Sequence, residues 1–399
     1  MIRSRQVVLL TSVLLLGLPL IGLWQAGISV APYLEFPPRT QSLAHAPFSW
    51  SAFLVVLLAI LGTIGPVLYH IIGVHRQPPC VPPPPVETQH SATRHAHGAE
   101  HGRGTLGTER DRHSFPWWGW LAGVWTAGWW ILAWTRFPWA VSFQEHTFTP
   151  LWVGYIVIVH AWTYTRTGQC RMLQKPREFW TLFPLSALYW WMFEYLNRFV
   201  QNWMYTGVGE LSALEYVVRA TIPFSTVLPA VIGTRDLLHT HPGLRAGLDR
   251  FVTAPWADSK LPYWIGIAVS CAGLLGLGVW PDYLFPFVWI GPLLLLLSLQ
   301  GGMGLQTRVS PLVVGDWRGL WVPAVAALIC GFFWELWNWG SLAHWEYALP
   351  FVHRFNLFEM PVLGYAGYLP FGLTCVVVAE LCLGLNESDD AACAGAQRN

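Results

Sequence analysis

Long apolar runs dominate this sequence, and their length limits what the chain can fold into. A helix needs about 20 mostly apolar residues to cross the core of a bilayer. Charged residues make up only 11% of the 399 residues, whereas a soluble domain carries about 25%. The sequence therefore predicts an all-α, polytopic membrane helix bundle with about ten spans: 7–24, 50–72, 117–134, 150–165, 178–197, 214–234, 262–280, 284–301, 319–338 and 361–384.

The Lys and Arg residues indicate the orientation, because cytoplasmic loops are enriched in them. With the N-terminus inside, an even number of spans leaves most of the 23 Lys and Arg residues on inner segments. The outer exceptions are Arg39, Arg136, Arg198, Arg219 and Arg354. We therefore predict a multi-pass protein of the inner cell membrane, in contact with bilayer lipid, with both termini cytoplasmic. No convincing cleavage site follows the first apolar run, so we expect that helix to be retained.

Residues 75–115 differ in composition from the rest. A proline-rich run at 78–85 favours a stiff extended spacer, and the polar stretch after it has too few apolar residues to form a core. His95, His97 and His101 could bind a transition metal weakly, although a solvated linker is the simpler interpretation. The segment 78–113 could also dock a protein partner. The predicted organisation is a two-helix membrane hairpin (1–74), a disordered cytoplasmic linker (75–115), a first four-helix repeat (116–240), a cytoplasmic connector (241–261), a second four-helix repeat (262–385) and a disordered tail (386–399).

The two four-helix segments, named unit 1 (116–240) and unit 2 (262–385), carry the same residues in the same order. The matching positions are Trp152 and Trp289, Glu194 and Glu335, Asn197 and Asn338, Trp203-Met204-Tyr205 and Trp345-Glu346-Tyr347, Glu215 and Glu359, and Pro229 and Pro370. Several matches in register indicate an internal duplication. Because each unit has an even number of helices, the copies should share one orientation and be related by a pseudo-twofold along the membrane normal.

Two carboxyls at membrane depth form the centre of the candidate site, since such groups are costly and usually functional. Glu194 and Glu335 lie late in matching helices, near the outer boundary. Asn197 and Asn338 follow on the same helical face, where each amide could hydrogen-bond the carboxylate. The many neighbouring aromatic residues disfavour the charged form of a carboxyl, which suits a general acid.

The outer loops complete the predicted site. Glu215 and Glu359, each at the start of a fourth helix, could supply the partner base. The predicted substrate-binding residues are Trp203, Tyr205, Trp345 and Tyr347. The duplication would bring both sets to a central cavity that opens outward. In the alternative interpretation, the Glu–Asn pairs tie helices together, Glu215 and Glu359 interact with helix dipoles, and the Trp residues belong to an interfacial belt.

Several functions are disfavoured by what the sequence lacks. It has no P-loop, no GxSxG or HExxH motif and no Cys/His cluster at zinc spacing, so we predict no metal site and can assign no cofactor. A net charge of +1 gives no reason to expect nucleic-acid binding.

The segments Glu194…Trp203-Met204-Tyr205…Glu215 and Glu335…Trp345-Glu346-Tyr347…Glu359 resemble the tandem-repeat, lycopene-cyclase-type carotenoid enzymes of membranes. The resemblance covers the outer half of each unit. It implies proton-triggered chemistry on an isoprenoid, with aromatic faces stabilising a carbocation. The chain differs from that family in having a single Glu where the family has a P-x-E-E run, and four helices in each unit where the family has three.

Three functions remain open from the sequence. The first is an enzyme that acts on a lipid or isoprenoid, a hydrophobic small molecule, through Glu194 and Glu335. The second is a small-solute or ion-coupled transporter, because parallel repeats suit alternating access. The third is a non-catalytic membrane assembly partner that docks other proteins through its linker.

Overall fold

The computed structural model describes residues 2–38, 44–76, 113–209 and 211–385, and this part of the chain is mostly helical. The long helices are α1 (Ile2–Gln25), α2 (Trp50–Arg76), α3 (Trp117–Trp134), α4 (Phe148–Thr167), α5 (Pro176–Val200), α6 (Ala213–Phe224), α7 (Val227–His239), α8 (Lys260–Gly276), α9 (Phe287–Gly302), α10 (Arg318–Gly340) and α11 (Tyr368–Leu383). The short strands are β1 (Trp203–Thr206), β2 (His344–Tyr347), β3 (Asn356–Leu357) and β4 (Met360–Pro361). These elements agree with the all-α prediction.

Within the described ranges, five helical segments are long and apolar enough to cross a membrane: Ile2–Gln25, Trp50–His75, Ala213–His239, Arg318–Gly340 and Val362–Leu383. Two more, α8 and α9, are apolar but shorter. Helices α1 and α2 also expose large apolar side chains along their length, among them Leu9 and Leu58. Such a surface is unfavourable in water and suits lipid, so these helices indicate a membrane protein.

The last helical segment of each unit is irregular, and the irregularity differs between the units. In unit 1, α6 ends at Phe224 just after Pro223, and α7 resumes at Val227. In unit 2, a 3-10 turn over Val362–Gly367 precedes α11. Proline removes a backbone donor and favours such breaks.

The two units pack against each other through matching positions. The Cys375 thiol donates to the Tyr189 hydroxyl at 3.6 Å, and the Cys330 sulfur lies 3.4 Å from Thr234 Oγ1. Tyr189 and Cys330 are matching positions, because they are separated by the same number of residues as Glu194 and Glu335. The same holds for Thr234 and Cys375. Each contact joins one unit to the other. The second contact uses the same two matching positions as the first, with the units interchanged, as a twofold axis would arrange them.

Aromatic contacts repeat this exchange in the core. Phe193 of α5 stacks on Trp289 of α9 with ring centroids 5.2 Å apart. Trp334 of α10 packs on Trp152 of α4 with centroids 5.0 Å apart. Trp334 is the position that matches Phe193, and Trp289 is the position that matches Trp152.

The loops that follow α5 and α10 form one antiparallel ribbon, β1–β2. Trp203 pairs with Tyr347, Met204 with Glu346, and Tyr205 with Trp345. Thr206 pairs with His344 beyond them. The pairing of the two Trp-x-Tyr motifs is therefore symmetric about the Met204–Glu346 pair.

Two segments of the predicted organisation lie wholly or mostly outside the described residues. The linker 75–115, with its three candidate metal-binding histidines and its partner-docking segment, falls almost wholly outside them. The tail 386–399 also lies outside the described residues.

Candidate functional site

The Glu194 carboxyl is buried near the C-terminal end of α5, where three neutral donors converge on one of its oxygens. Oε1 accepts from Trp190 Nε1 at 3.0 Å, from Trp203 Nε1 at 3.0 Å and from the Tyr205 hydroxyl at 2.6 Å. Trp190 precedes Glu194 by one helical turn, whereas Trp203 and Tyr205 come from β1. The strand therefore covers the carboxyl and solvates it with indole and phenol groups.

The Glu335 carboxyl lies at the matching place on α10 and has no exposed surface. Its Oε1 accepts from the Tyr347 hydroxyl of β2 at 2.7 Å and from the Tyr368 hydroxyl of α11 at 2.7 Å. Trp345 Nε1 donates to the same Tyr347 hydroxyl at 2.8 Å. Both carboxyls thus receive a tyrosine hydroxyl from the shared ribbon.

Tyr368 is a site residue that the sequence analysis missed. It has no phenolic counterpart in unit 1, because the matching position is Val227. A signal was present at Gly331, which replaces Trp190 one turn before the carboxyl. A Cβ at Gly331 would overlap the Tyr368 ring, so the glycine makes room for the tyrosine.

The predicted role of the two asparagines was wrong. Asn197 Nδ2 donates to Trp203 O at 2.8 Å, and its Oδ1 accepts from Asn202 N at 2.8 Å. Asn338 bonds Trp345 O and Trp345 N in the same way, each at 2.7 Å. The amides therefore satisfy the backbone of the strand instead of the carboxylate, and they position the donors indirectly by fixing β1 and β2.

Glu215 does not join Glu194 in the buried site. It is exposed at the start of α6, where its Oε2 accepts from Ser212 N at 2.9 Å and from Ser212 Oγ at 2.7 Å. The Ser212 side chain accepts in return from the backbone N–H of Glu215. This reciprocal pair is a capping box, which agrees with the alternative interpretation and not with a base beside Glu194.

Glu359 precedes its helix and does not begin it, contrary to prediction. It lies in the tight turn between β3 and β4, beside Phe358, whose φ is +57°. It is half-buried, and its negative charge raises the pKa of His353, although burial lowers that pKa by more. Among the predicted bases, Glu359 is therefore the one that remains near buried polar groups.

The predicted cavity opening outward from the carboxyls is closed in this structure. Glu194 is 8% exposed and Glu335 is fully buried. A continuous set of rings fills the space between them: Trp190 contacts Phe371 at 5.7 Å, Phe371 contacts Trp334 at 6.0 Å, and Trp334 stacks on Tyr368 at 5.8 Å between centroids. The aromatic residues expected as cavity walls therefore pack on each other.

The ribbon tyrosines remain hydrogen-bond donors at any physiological pH. Burial raises the pKa of Tyr347 well above its usual value, and the neighbouring Glu335 carboxyl raises it further. Burial and then Glu194 act on the pKa of Tyr205 in the same direction. Neither hydroxyl can serve as a base, so proton exchange at these sites depends on the carboxyls.

Buried ion pairs form a second polar region, built on arginines that the sequence analysis had placed on inner segments. Arg171 donates to Asp236 at 2.9 Å and to Glu178 at 2.8 Å, while Arg235 donates to Asp236 at 2.8 Å. In unit 2, Arg308 pairs with Glu380. The signal available in the sequence was the adjacent Arg235 and Asp236 inside an apolar helix.

The described ranges contain no group of three or more His, Cys, Asp or Glu side chains placed to hold a metal ion. No family model matches the chain, and neither a curated protein nor a solved structure does.

Proposed function

We propose that this protein is a membrane-embedded enzyme that acts on a lipid or isoprenoid through the carboxyls of Glu194 and Glu335. One observation carries the proposal. Both carboxyls are buried among aromatic rings, and both receive their hydrogen bonds from neutral Trp and Tyr groups. A carboxyl in such surroundings can exchange a proton with a bound apolar molecule while water is excluded.

The proposal includes the internal duplication, with ten spans, both termini on the cytoplasmic side and the carboxyls near the outer face of an inner membrane. Support comes from the ribbon, in which matching residues pair about Met204 and Glu346. The exchanged contacts Tyr189–Cys375 and Thr234–Cys330 add to it. Helices α3, α4 and α5, at 18, 20 and 25 residues, are long enough to span or nearly span a bilayer.

The test is a comparison of total lipid extracts by mass spectrometry with absorbance detection. Cells would carry the wild-type protein, no protein, or the double variant Glu194→Gln plus Glu335→Gln at equal expression. Loss of a general acid lowers a rate about 10²- to 10⁴-fold. We therefore expect one species to accumulate or disappear in both the deletion strain and the double variant.

The matched control is Glu215→Gln, which changes a carboxyl of the same unit that lies at the surface. It should leave the extract as in the wild type. Identical extracts from the wild type, the deletion strain and the double variant would contradict the enzymatic proposal.

Transport is a second candidate, favoured by the buried ion pairs of Arg171, Asp236 and Arg308. Ionised groups within a membrane bundle often line ion pathways. Proton flux into reconstituted vesicles, read with an internal pH dye, would test it. Flux that is lost in Glu194→Gln would support transport, and flux equal to that of protein-free vesicles would contradict it.

A further inference from the structure

Glu335 has a buried oxygen without a partner. Tyr347 and Tyr368 both donate to Oε1, whereas Oε2 has no hydrogen-bond partner among the described residues and no access to solvent. Leaving a buried polar atom unpaired costs about 1–3 kcal/mol, and more for a charged group. Buried groups in folded proteins are rarely left in this state without a functional reason.

We propose, on the basis of the enzymatic function above, that Glu335 binds the hydroxyl group of an otherwise apolar lipid. A hydroxyl donates a hydrogen bond, so it can serve the unpaired carboxyl oxygen. An ammonium group would bring a charge among aromatic side chains, and an ether oxygen or a deprotonated phosphate only accepts. The surrounding side chains are aromatic, which fits an apolar chain beyond the hydroxyl.

The turn that carries Phe358 gives such a lipid a route from the bilayer. Phe358 contacts Phe332 at 5.7 Å and Trp339 at 5.9 Å between ring centroids. These two residues stand about one turn before and after Glu335 on α10, and both are exposed, at 41% and 55%. Phe358 also holds a left-handed φ of +57°, which is strained for a bulky residue. Displacing this ring would open the lipid-facing side of α10 beside Glu335.

Glu194 lacks these features. Three donors converge on its Oε1, and neither of its oxygens is both buried and without a partner. The Glu194 carboxyl is therefore held by the protein, and the hydroxyl-binding role belongs to unit 2.

The test uses the full-length protein in lipid nanodiscs and three probes with one C20 prenyl chain: the alcohol, its methyl ether and the parent hydrocarbon. The ether keeps the oxygen but lacks the donor. One hydrogen bond to a neutral group corresponds to roughly tenfold in affinity. We expect the alcohol to bind roughly tenfold more tightly than the ether, and the hydrocarbon to bind no better than the ether.

Two variants locate the site. Glu335→Gln should remove most of the preference for the alcohol, whereas Glu194→Gln should keep it. Infrared difference spectra give an independent measurement: the alcohol should shift a carboxyl band in the wild type and in Glu194→Gln but not in Glu335→Gln. Equal binding of alcohol and ether, a preference that survives Glu335→Gln, or one lost only in Glu194→Gln would overturn the inference.

The two proposals fail in different ways. A clear preference for the alcohol with unchanged lipid extracts would remove the enzymatic function and leave the binding site. Changed extracts without any preference for the alcohol would retain the enzyme and remove the hydroxyl-binding role of Glu335.

Discussion

The two buried carboxyls use the same strand residues but different helix residues. In each unit a ribbon tyrosine donates to the Glu, through Tyr205 in unit 1 and Tyr347 in unit 2. The second support differs. Unit 1 uses Trp190, from the same helix as its Glu, and unit 2 uses Tyr368, from the next helix.

This difference shows which parts of the site are constrained. In unit 2 this donor comes from a different helix, because Gly331 leaves free the space that Trp190 fills in unit 1. The exchange replaces one donor by another, and the third donor of unit 1 is absent from unit 2 because Trp345 donates to Tyr347 instead of the carboxyl. Glu335 therefore has a buried oxygen without a partner, and Glu194 has none that is both buried and unpaired.

The largest expected effect comes from moving the unit 1 arrangement into unit 2. Gly331→Trp places an indole where the Tyr368 ring lies, and overpacking of this kind costs about 3 kcal/mol or more. We expect little folded protein, measured by size-exclusion chromatography and thermal unfolding in detergent. The double variant Gly331→Trp plus Tyr368→Val rebuilds the Trp190–Val227 pair and should recover most of the stability.

The rescue is the decisive part of that experiment. A gain on adding Tyr368→Val shows that the two positions are coupled, as contacting residues are. Folding of Gly331→Trp alone, or a double variant no better than the single one, would contradict the structural equivalence of the two sites.

The asparagines should give effects of the next size, and similar ones. Asn197→Ala and Asn338→Ala each leave a backbone C=O of the ribbon unpaired and remove an acceptor from nearby backbone N–H groups, at a cost of about 2 kcal/mol. The N–H groups are those of Asn202 and Trp203 in unit 1 and that of Trp345 in unit 2. Thermal unfolding measures the loss. Hydrogen exchange at β1 and β2 shows whether the ribbon behaves as one element: either variant should increase exchange in both strands. Faster exchange confined to the mutated unit would mean that the two sites move independently.

Removing the matching tyrosine hydroxyls should destabilise the two units by different amounts. Tyr347→Phe leaves Glu335 with one donor and Trp345 Nε1 without its acceptor, so we expect a loss of about 2 kcal/mol. Tyr205→Phe leaves Glu194 with two donors, and its loss should be nearer about 1 kcal/mol. Both changes are nearly isosteric, which makes each the control for the other.

The pH dependence of these tyrosine variants follows from the raised pKa values. A phenol whose pKa is higher in the folded protein than in the unfolded chain contributes stability that is complete below the unfolded value and falls as pH rises above it. The usual value is 10.0, so the difference between the variants should be constant from neutral to mildly alkaline pH. A difference that disappears near neutral pH would contradict the hydroxyls as protonated donors.

The sequence predicted the helical class and singled out Glu194 and Glu335, because carboxyls in apolar helices stand out against their surroundings. It also singled out Tyr205 and Tyr347. It did not predict Tyr368 or the Arg171–Asp236 ion pair, because the spacing of residues along the chain does not show which helices pack against each other. The role of the asparagines was missed because a pattern at i and i+3 shows which residues share a face, and backbone groups of the following loop compete for the same amide.

The smallest effect is expected at the carboxyls that match in sequence but not in position. Glu215→Ala removes half of a capping box at the surface, so it should lower the thermal stability slightly and leave the lipid extract unchanged. Glu359→Gln alters a half-buried charge within electrostatic reach of Glu335, so it should shift the pH profile of the activity without unfolding the protein. Mass spectrometry of extracts and thermal unfolding measure both variants. Loss of product in a folded Glu215→Ala protein would restore that residue as a base, and would mean that the surface site of unit 1 takes part in the chemistry that we assign to the buried carboxyls.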